Sequence, residues 1–230
     1  MPVLPGPPPV EVHLKRSARA RRFSLRVSRL DGKVTLAMPL RAREGEALAF
    51  LKGHEDWLRQ TLQGMPDSAV RAVGLGSVIP VEGREMLLAP GNGRAVRVEG
   101  DRLLVPGDPA AAGARVAAWL KVLARDRLAL ASTHYAGLVG RSYSQLALRD
   151  TRSRWGSCSP DGRLMYSWRL IMAPPSVLDY VAAHEVAHLV EMNHSAAYWA
   201  VVSRICPDWR KERAWVHANG QSLHRLRFQD

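Results

Sequence analysis

Residues 184–194 read HEVAHLVEMNH, with His184 and His188 four residues apart and Glu185 beside the first. At about 100° per residue, two positions four apart project from one side of a helix, one turn apart. Imidazole nitrogens so placed can reach a single tetrahedral ion at about 2.0–2.1 Å. Glu185 is rotated off that axis, where its carboxylate flanks the metal and can accept a proton from a bound water. The pattern predicts one zinc ion (Zn2+) per chain, with a coordination position left open for a water that the zinc activates. A third ligand has two candidates nearby. On an unbroken helix Glu191 shares the histidine face. If the helix stops at Met192-Asn193, the chain turns and His194 swings back toward the ion. Asn193 tolerates the left-handed backbone that ends many helices better than most residues do. Imidazole is a common zinc ligand, so His194 is favoured and Glu191 becomes an outer hydrogen-bond partner or a surface residue.

The helix that must carry this motif starts at a capping-box-like pair, Ser176 and Asp179, and is expected from Val177 to about Glu191. Its other face holds Leu178, Ala182, Val186, Leu189 and Val190, so the helix reads as buried. Two imidazoles and a carboxylate in such a helix need partners, which one metal ion and its water would supply. Upstream lie two strand candidates, residues 144–150 and 163–172, joined by the loop TRSRWGSCSPDG. Before them Asp108-Pro109 is a strong helix start. Val116, Trp119, Leu120, Leu123 and Leu130 mark one face of that helix, and Gly137 and Gly140 mark its end. Two short helices are expected at 195–205 and 209–218, after the motif.

The first hundred residues read mainly as strands. Residues 10–16, 21–29 and 32–39 alternate apolar and polar side chains, with Asp31-Gly32 as a turn signal between the last two. In the second, Phe23, Leu25 and Val27 form one face and Arg22, Ser24, Arg26 and Ser28 the other. A helix is expected from about Glu44 to Leu62, burying Leu48, Leu51, Trp57 and Leu58. The fold class is therefore α+β. A Pro-rich tail (1–9) precedes a β-rich N-terminal part (10–107) and a zincin-like C-terminal part (108–230) with an HExxH active-site helix, the whole forming one continuous domain.

Against 21 Asp and Glu stand 33 Lys and Arg, a formal charge of +12. That balance favours anionic partners, including nucleic acid or nucleotides, through long-range attraction. Within it Lys15, Arg16, Arg19, Arg21, Arg22, Arg26 and Arg29 form a basic run that strand alternation reads as a solvated face. No apolar stretch reaches the 18 to 20 or so residues needed to span a bilayer. The N-terminus lacks the pattern of a secretory signal. Cys158 and Cys206 are too few for a disulfide framework and read as reduced thiols of a cytoplasmic protein.

RSRWGSCS (152–159), WRLIMAPPSVLDYVAAHEVAHLVEMNHS (168–195) and YW (198–199) together resemble the YgjP-like zinc metallopeptidases, relatives of the SprT-like proteases. RSARARRFSLRVSRLDGKVTLAMP (16–39) extends the resemblance over nearly the whole chain. It implies zinc held by His184, His188 and His194, with Glu185 as the catalytic acid/base. The spacing also matches HExxHxxGxxH peptidases, but Glu191 replaces their glycine, which argues against a true metzincin.

The loop around Arg152, Arg154, Trp155, Gly156 and Ser157 is expected to shape the cleft, an arginine holding a substrate carboxylate, phosphate or oxyanion. The alternative is a hairpin tip with Trp155 packed on the core. Tyr198, four residues past His194, could reach an oxyanion, although packing suits the YW pair better. Cys158 reads as a small buried residue and no ligand. The leading expectation is a metallopeptidase acting on a peptide or protein substrate through a zinc-activated water, with Glu185 as general base. A non-proteolytic hydrolase of anionic small molecules, such as a nucleotide pyrophosphohydrolase, is the second. A basic nucleic-acid-associated module with a structural zinc is the third, and an open fourth coordination position speaks against it.

Overall fold

Where apolar residues alternate the chain forms strands, and where they recur every three or four residues it forms helices. The computed structural model describes residues 2–28, 32–63 and 70–228. Two compact units emerge, Met1–Val70 and Arg71–Asp230. Strands dominate the N-terminal part and helices the C-terminal half, an α+β protein. None of the described helices is long and apolar enough to cross a membrane.

In the first unit, β1 (Val3–Leu4), β2 (Val10–Ser17), β3 (Ser24–Val27) and β4 (Val34–Pro39) form a sheet in the order β1-β2-β4-β3. Val10, Val12, Val34, Leu36 and Met38 alternate onto its buried face. Phe23, Leu25 and Val27 are half-buried while Arg22, Ser24 and Arg26 are exposed, as the alternation requires. The Asp31 half of the turn signal, and Arg29 of the basic run, lie outside the described residues. The helix expected over 44–62 is two helices, α1 (Glu44–Lys52) and α2 (Glu55–Gln63), parted at Gly53-His54. Glycine is a poor helix former, and the break resets the helical phase. Beyond the break Trp57 is exposed (47%), and before it Leu48 is exposed (40%) because its neighbour Ala47 joins Leu51 and Leu58 in the core. The Pro-rich N-terminus also contributes a strand. Leu4 pairs with Val10, and Arg59 of α2 donates to the Pro5 and Pro8 carbonyls. Arg16, from the basic run, is spent on the Leu40 and Ala42 carbonyls.

The second unit begins with β5 (Arg71–Ala72), β6 (Val78–Val81), β7 (Arg84–Gly91), β8 (Arg97–Glu99) and β9 (Arg102–Pro106). Strands β6 to β9 form a sheet in the order β6-β7-β9-β8, with β7 and β9 parallel. Asp108 accepts the Ala110 N–H at the start of a 3-10 turn, which runs into the 28-residue helix α3 (Ala112–Val139). Gly140, at φ 65°, ends α3 in the left-handed conformation that glycine adopts without strain. Val116, Leu120, Ala124, Leu128 and Ala131 form the buried stripe of α3. Trp119 and Leu123 are only partly buried, and Leu130 is 70% exposed, one position out of phase with that stripe.

Next come β10 (Gln145–Arg149), β11 (Gly156–Cys158) and β12 (Arg163–Ser167), in the order β10-β12-β11. Two expectations change here. The stretch 163–172 is strand only to Ser167 and then a 3-10 turn, Trp168–Met172. The presumed loop after β10 contains a strand, β11, antiparallel to β12. Helices α4 (Pro175–Ala187), α5 (Ala196–Ile205) and α6 (Trp209–Asn219) follow, and β13 (Leu226–Arg227) returns to pair in parallel with β5.

Arg169 locks this return. Only 8% exposed, it donates two hydrogen bonds to Asp150 (2.6 and 3.0 Å) and one each to the Leu223 and Leu226 carbonyls. Burial pushes the Asp150 carboxyl up, but the hydrogen bonds and charge of Arg169 outweigh it and hold the group below its usual range. A depressed carboxylate contributes stability that is present above its unfolded pKa of about 3.9 and is lost as pH falls through the lower folded value. Arg169→Met should cost on the order of 3 kcal/mol, mostly through the two carbonyls left unpaired. Chemical denaturation should also show that the variant has lost the Asp150 part of the wild type's decline at acid pH.

Candidate metal centre and its cleft

Helix α4 is packed on nearly every side, with Val177, Val181, Ala182, Ala183, Val186 and Ala187 all under 5% exposed. It starts at Pro175, with proline in the first turn and no side-chain cap, so Ser176 is already helical. It ends at Ala187, earlier than Glu191, and His188 is its C-cap. The end is a tightening of the spiral. His188, Leu189 and Val190 donate their N–H groups three residues back, to Glu185, Val186 and Ala187. Asn193 has no positive φ, so it is not the left-handed stop that its residue type suggests. The tighter turns bring the chain round, and Ser195 then caps α5 by accepting the Tyr198 N–H.

His184, His188 and His194 come together, with one ligand nitrogen of each within 4.8 Å of the others. The Nε2 atoms of His184 and His194 are 3.1 Å apart. Two ligands on one tetrahedral ion at about 2.0–2.1 Å would stand about 3.3 Å apart, so this pair is spaced for a shared ion. His188 Nδ1 lies 3.0 Å from the Glu191 carbonyl, which only accepts, so Nδ1 carries the proton and Nε2 keeps its lone pair. Glu191 thus meets the site through its backbone. Burial drives the His184 imidazole down to about 3, helped by His188 and His194, and also lowers His188. Neutral imidazoles converging in this way are a donor set for a metal ion of zinc's kind. The other nitrogen of His184, Nδ1, is buried without a hydrogen-bond partner. Its ring is held by the edges or faces of Tyr180, Tyr198 and Trp199, at centroid distances of 5.9, 5.3 and 6.0 Å.

Glu185 is 6% exposed, and burial raises its carboxyl to about 8 against the opposing charge of Arg154. The cleft beside it, about 490 Å³, is lined by the three histidines, Glu185, Met192, Ser153, Arg154 and the strand β11. Arg154 is the cation on this wall among the described residues. Arg152 is not part of it and acts electrostatically on Asp150 and His224 instead. Trp155 is half-buried, tilted against His224 at 5.0 Å and seated on Gly220, where a Cβ would come within 3.0 Å of the indole. Tyr198 is fully buried and stacks on His188 at 4.5 Å. Its hydroxyl donates to the His184 carbonyl (2.9 Å), so it braces the ligand helix and is not free for an oxyanion. The Cys158 thiol points to the Ser159 carbonyl and is raised to about 11 by burial, outside the ligand set.

Gly156, expected only as part of a loop that shapes the cleft, has a specific role. A Cβ there would come within 2.5 Å of the Glu185 Cγ and Oε1, so only glycine leaves the carboxylate its place. The tripeptide Trp-Gly-Ser after a charged loop was its one signal.

Three histidines whose ring nitrogens converge beside a buried carboxylate, in an open cleft, could hold a metal ion next to a group able to move a proton. The profile described as YgjP-like, metallopeptidase domain matches residues 21–219, and the chain belongs to that family. Comparison with curated proteins and with solved structures gave no match.

Gly156→Ala should lower the hydrolytic rate about 10²-fold, the effect of moving a reacting group by about 1 Å, while metal content and thermal midpoint stay near wild type. Tyr198→Phe should lose about 1 kcal/mol of stability, measured by denaturant unfolding, with the rate within a few-fold. An oxyanion role would instead cost about 10²–10³ in rate.

Proposed function

We propose that this protein is a zinc-dependent metallopeptidase with a zincin-like catalytic part, in which His184, His188 and His194 hold one zinc ion and Glu185 is the general base. The observation that carries the peptide substrate is strand β11. It is the edge strand of its sheet, and Gly156, Ser157 and Cys158 line the same cleft as Glu185. An extended peptide can add to such an edge through main-chain hydrogen bonds, a mode open to any sequence. Laid there, its carbonyl carbons pass the histidine trio.

Zinc, when bound, supplies electrophilic activation of the water and of the scissile carbonyl. The residues of the chain do the rest. Glu185, whose carboxylate lines the cleft beside the histidines, takes the proton of the attacking water and returns it to the leaving amine. Gly156 keeps the carboxylate in line with the cleft, and Arg154 limits how far burial raises it. The buried surroundings of α4 fix both histidines on their shared face.

Hydrolysis of a nucleotide is less well supported, because a triphosphate calls for several cations and the cleft wall offers Arg154. Other arginines form structural bonds, as Arg16 and Arg169 do. A structural zinc would have its coordination closed, whereas this trio opens onto a cleft.

Protein prepared without chelator and supplied with zinc should carry about one zinc per chain by elemental analysis, and His188→Ala should lose it. The loaded enzyme should release new amino termini from a mixed peptide pool. Glu185→Gln should keep the metal and lose about 10²–10⁴ of the rate. Folded protein that takes up no metal would overturn the reading. Pyrophosphate release from nucleoside triphosphates without peptide cleavage would replace it with the anionic-substrate hydrolase.

A further inference from the structure

The cleft continues past Glu185 into a second cavity of different character. It holds about 220 Å³ and shares Arg154, Gly156, His184 and Glu185 with the larger cleft. Its remaining walls are Trp155, Tyr180, Val181 and Val216, so it is mostly apolar. These walls are pre-set. Tyr180 and Val181 belong to the packed body of α4, at 5% and 4% exposure. Trp155 is pinned between Gly220 and His224, and Val216 sits on α6, which packs against α4. An apolar cavity of about 150 Å³ is enough to hold benzene, so 220 Å³ takes a leucine, methionine or phenylalanine side chain. Arg154 stands on the lining, where its charge repels a lysine or arginine and nothing on the apolar walls compensates.

We infer that this cavity is the side-chain pocket for the substrate residue adjoining the scissile bond, and that it selects Leu, Met or Phe over Gly, Lys or Arg. The inference rests on the metallopeptidase reading and adds its specificity. The pocket begins at Glu185 and Gly156, so a peptide lying along β11 with its scissile carbonyl beside Glu185 has a neighbouring side chain within reach of it. An apolar pocket discriminates by about 10- to 200-fold per methylene it accommodates. At least a tenfold preference for Leu over Gly is therefore expected.

Two measurements on the full chain test this. First, the zinc-loaded enzyme is given a peptide library, and the cleaved bonds are read by mass spectrometry. One position flanking the bond should be enriched at least tenfold in Leu, Met and Phe and depleted in Lys and Arg. Val216→Trp, which fills the cavity, should move that preference to Gly and Ala. Val216→Ala, which enlarges it, should favour Phe over Leu and serves if the tryptophan variant does not fold. Second, binding of N-acetyl-phenylalanine amide is compared with that of N-acetyl-lysine amide by NMR titration, which needs no turnover. The aromatic probe should bind at least tenfold tighter, and Val216→Trp should abolish the difference. Cleavage with no flanking preference, or a preference unmoved by both Val216 variants, overturns the pocket and leaves the peptidase reading standing. Selective binding with no peptide cleaved overturns the substrate assignment and the peptidase reading together. Equal binding of the two probes overturns the pocket whatever the activity.

Discussion

Glu185 is a carboxylate held almost wholly out of water, with no hydrogen bond from any described residue, on a helix otherwise packed with alanine and valine. Burial disfavours the charged form of such a group, and its neighbours decide how strongly. Strand β11 comes close enough that a single Cβ at Gly156 would collide with it. Arg154 stands near enough to temper its basicity without forming an ion pair. His184 beside it and His188 at the helix end have their imidazoles held toward the neutral form by burial, and His194 joins them from the turn beyond. One desolvated environment thus acts on the carboxylate and on the neighbouring imidazoles together, an effect that a core helix gives and a surface helix does not.

Much of this was legible in the sequence, and the failures share a cause. His184, Glu185 and His188 could be placed by helical spacing, because periodicity is a property of the local chain. The convergence of His194 was expected, but for the wrong reason. The helix ends by tightening over His188 to Val190, where Asn193 had looked like the stop. Strand β11 was hidden because three half-buried residues carry no alternation to read, and only pairing with β12 makes them a strand. Leu130 and Leu48 were misjudged by one position, the usual error when an apolar residue flanks a stripe instead of lying in it. Arg169 could not be found at all, and Gly156 could be placed at the cleft but not against Glu185, since each acts through residues distant in sequence.

The excess of positive charge is a weak guide to the site. Arg16 and Arg59 are committed to backbone carbonyls of the first unit, and Arg127, Arg163 and Arg169 to carboxylates of the second. Guanidinium groups serve here as multi-pronged hydrogen-bond donors that tie segments together, work for which their fixed fork suits them. A formal +12 is a sum over the whole chain and does not say how much positive charge faces the cleft, where Arg154 lies on the lining.

The pairing of β13 with β5 has a temporal consequence. The first strand of the second unit finds its partner only when the chain has passed Leu226, and Arg169 receives two of its acceptors from the same late segment. During synthesis, the residues around the histidines emerge well before the segment that closes the unit behind them. Contacts of such long sequence separation form slowly, because their loop-closure entropy must be met before they stabilise anything. The unit therefore closes late, although α3 and β11, against which the site helix packs, come before it in the chain.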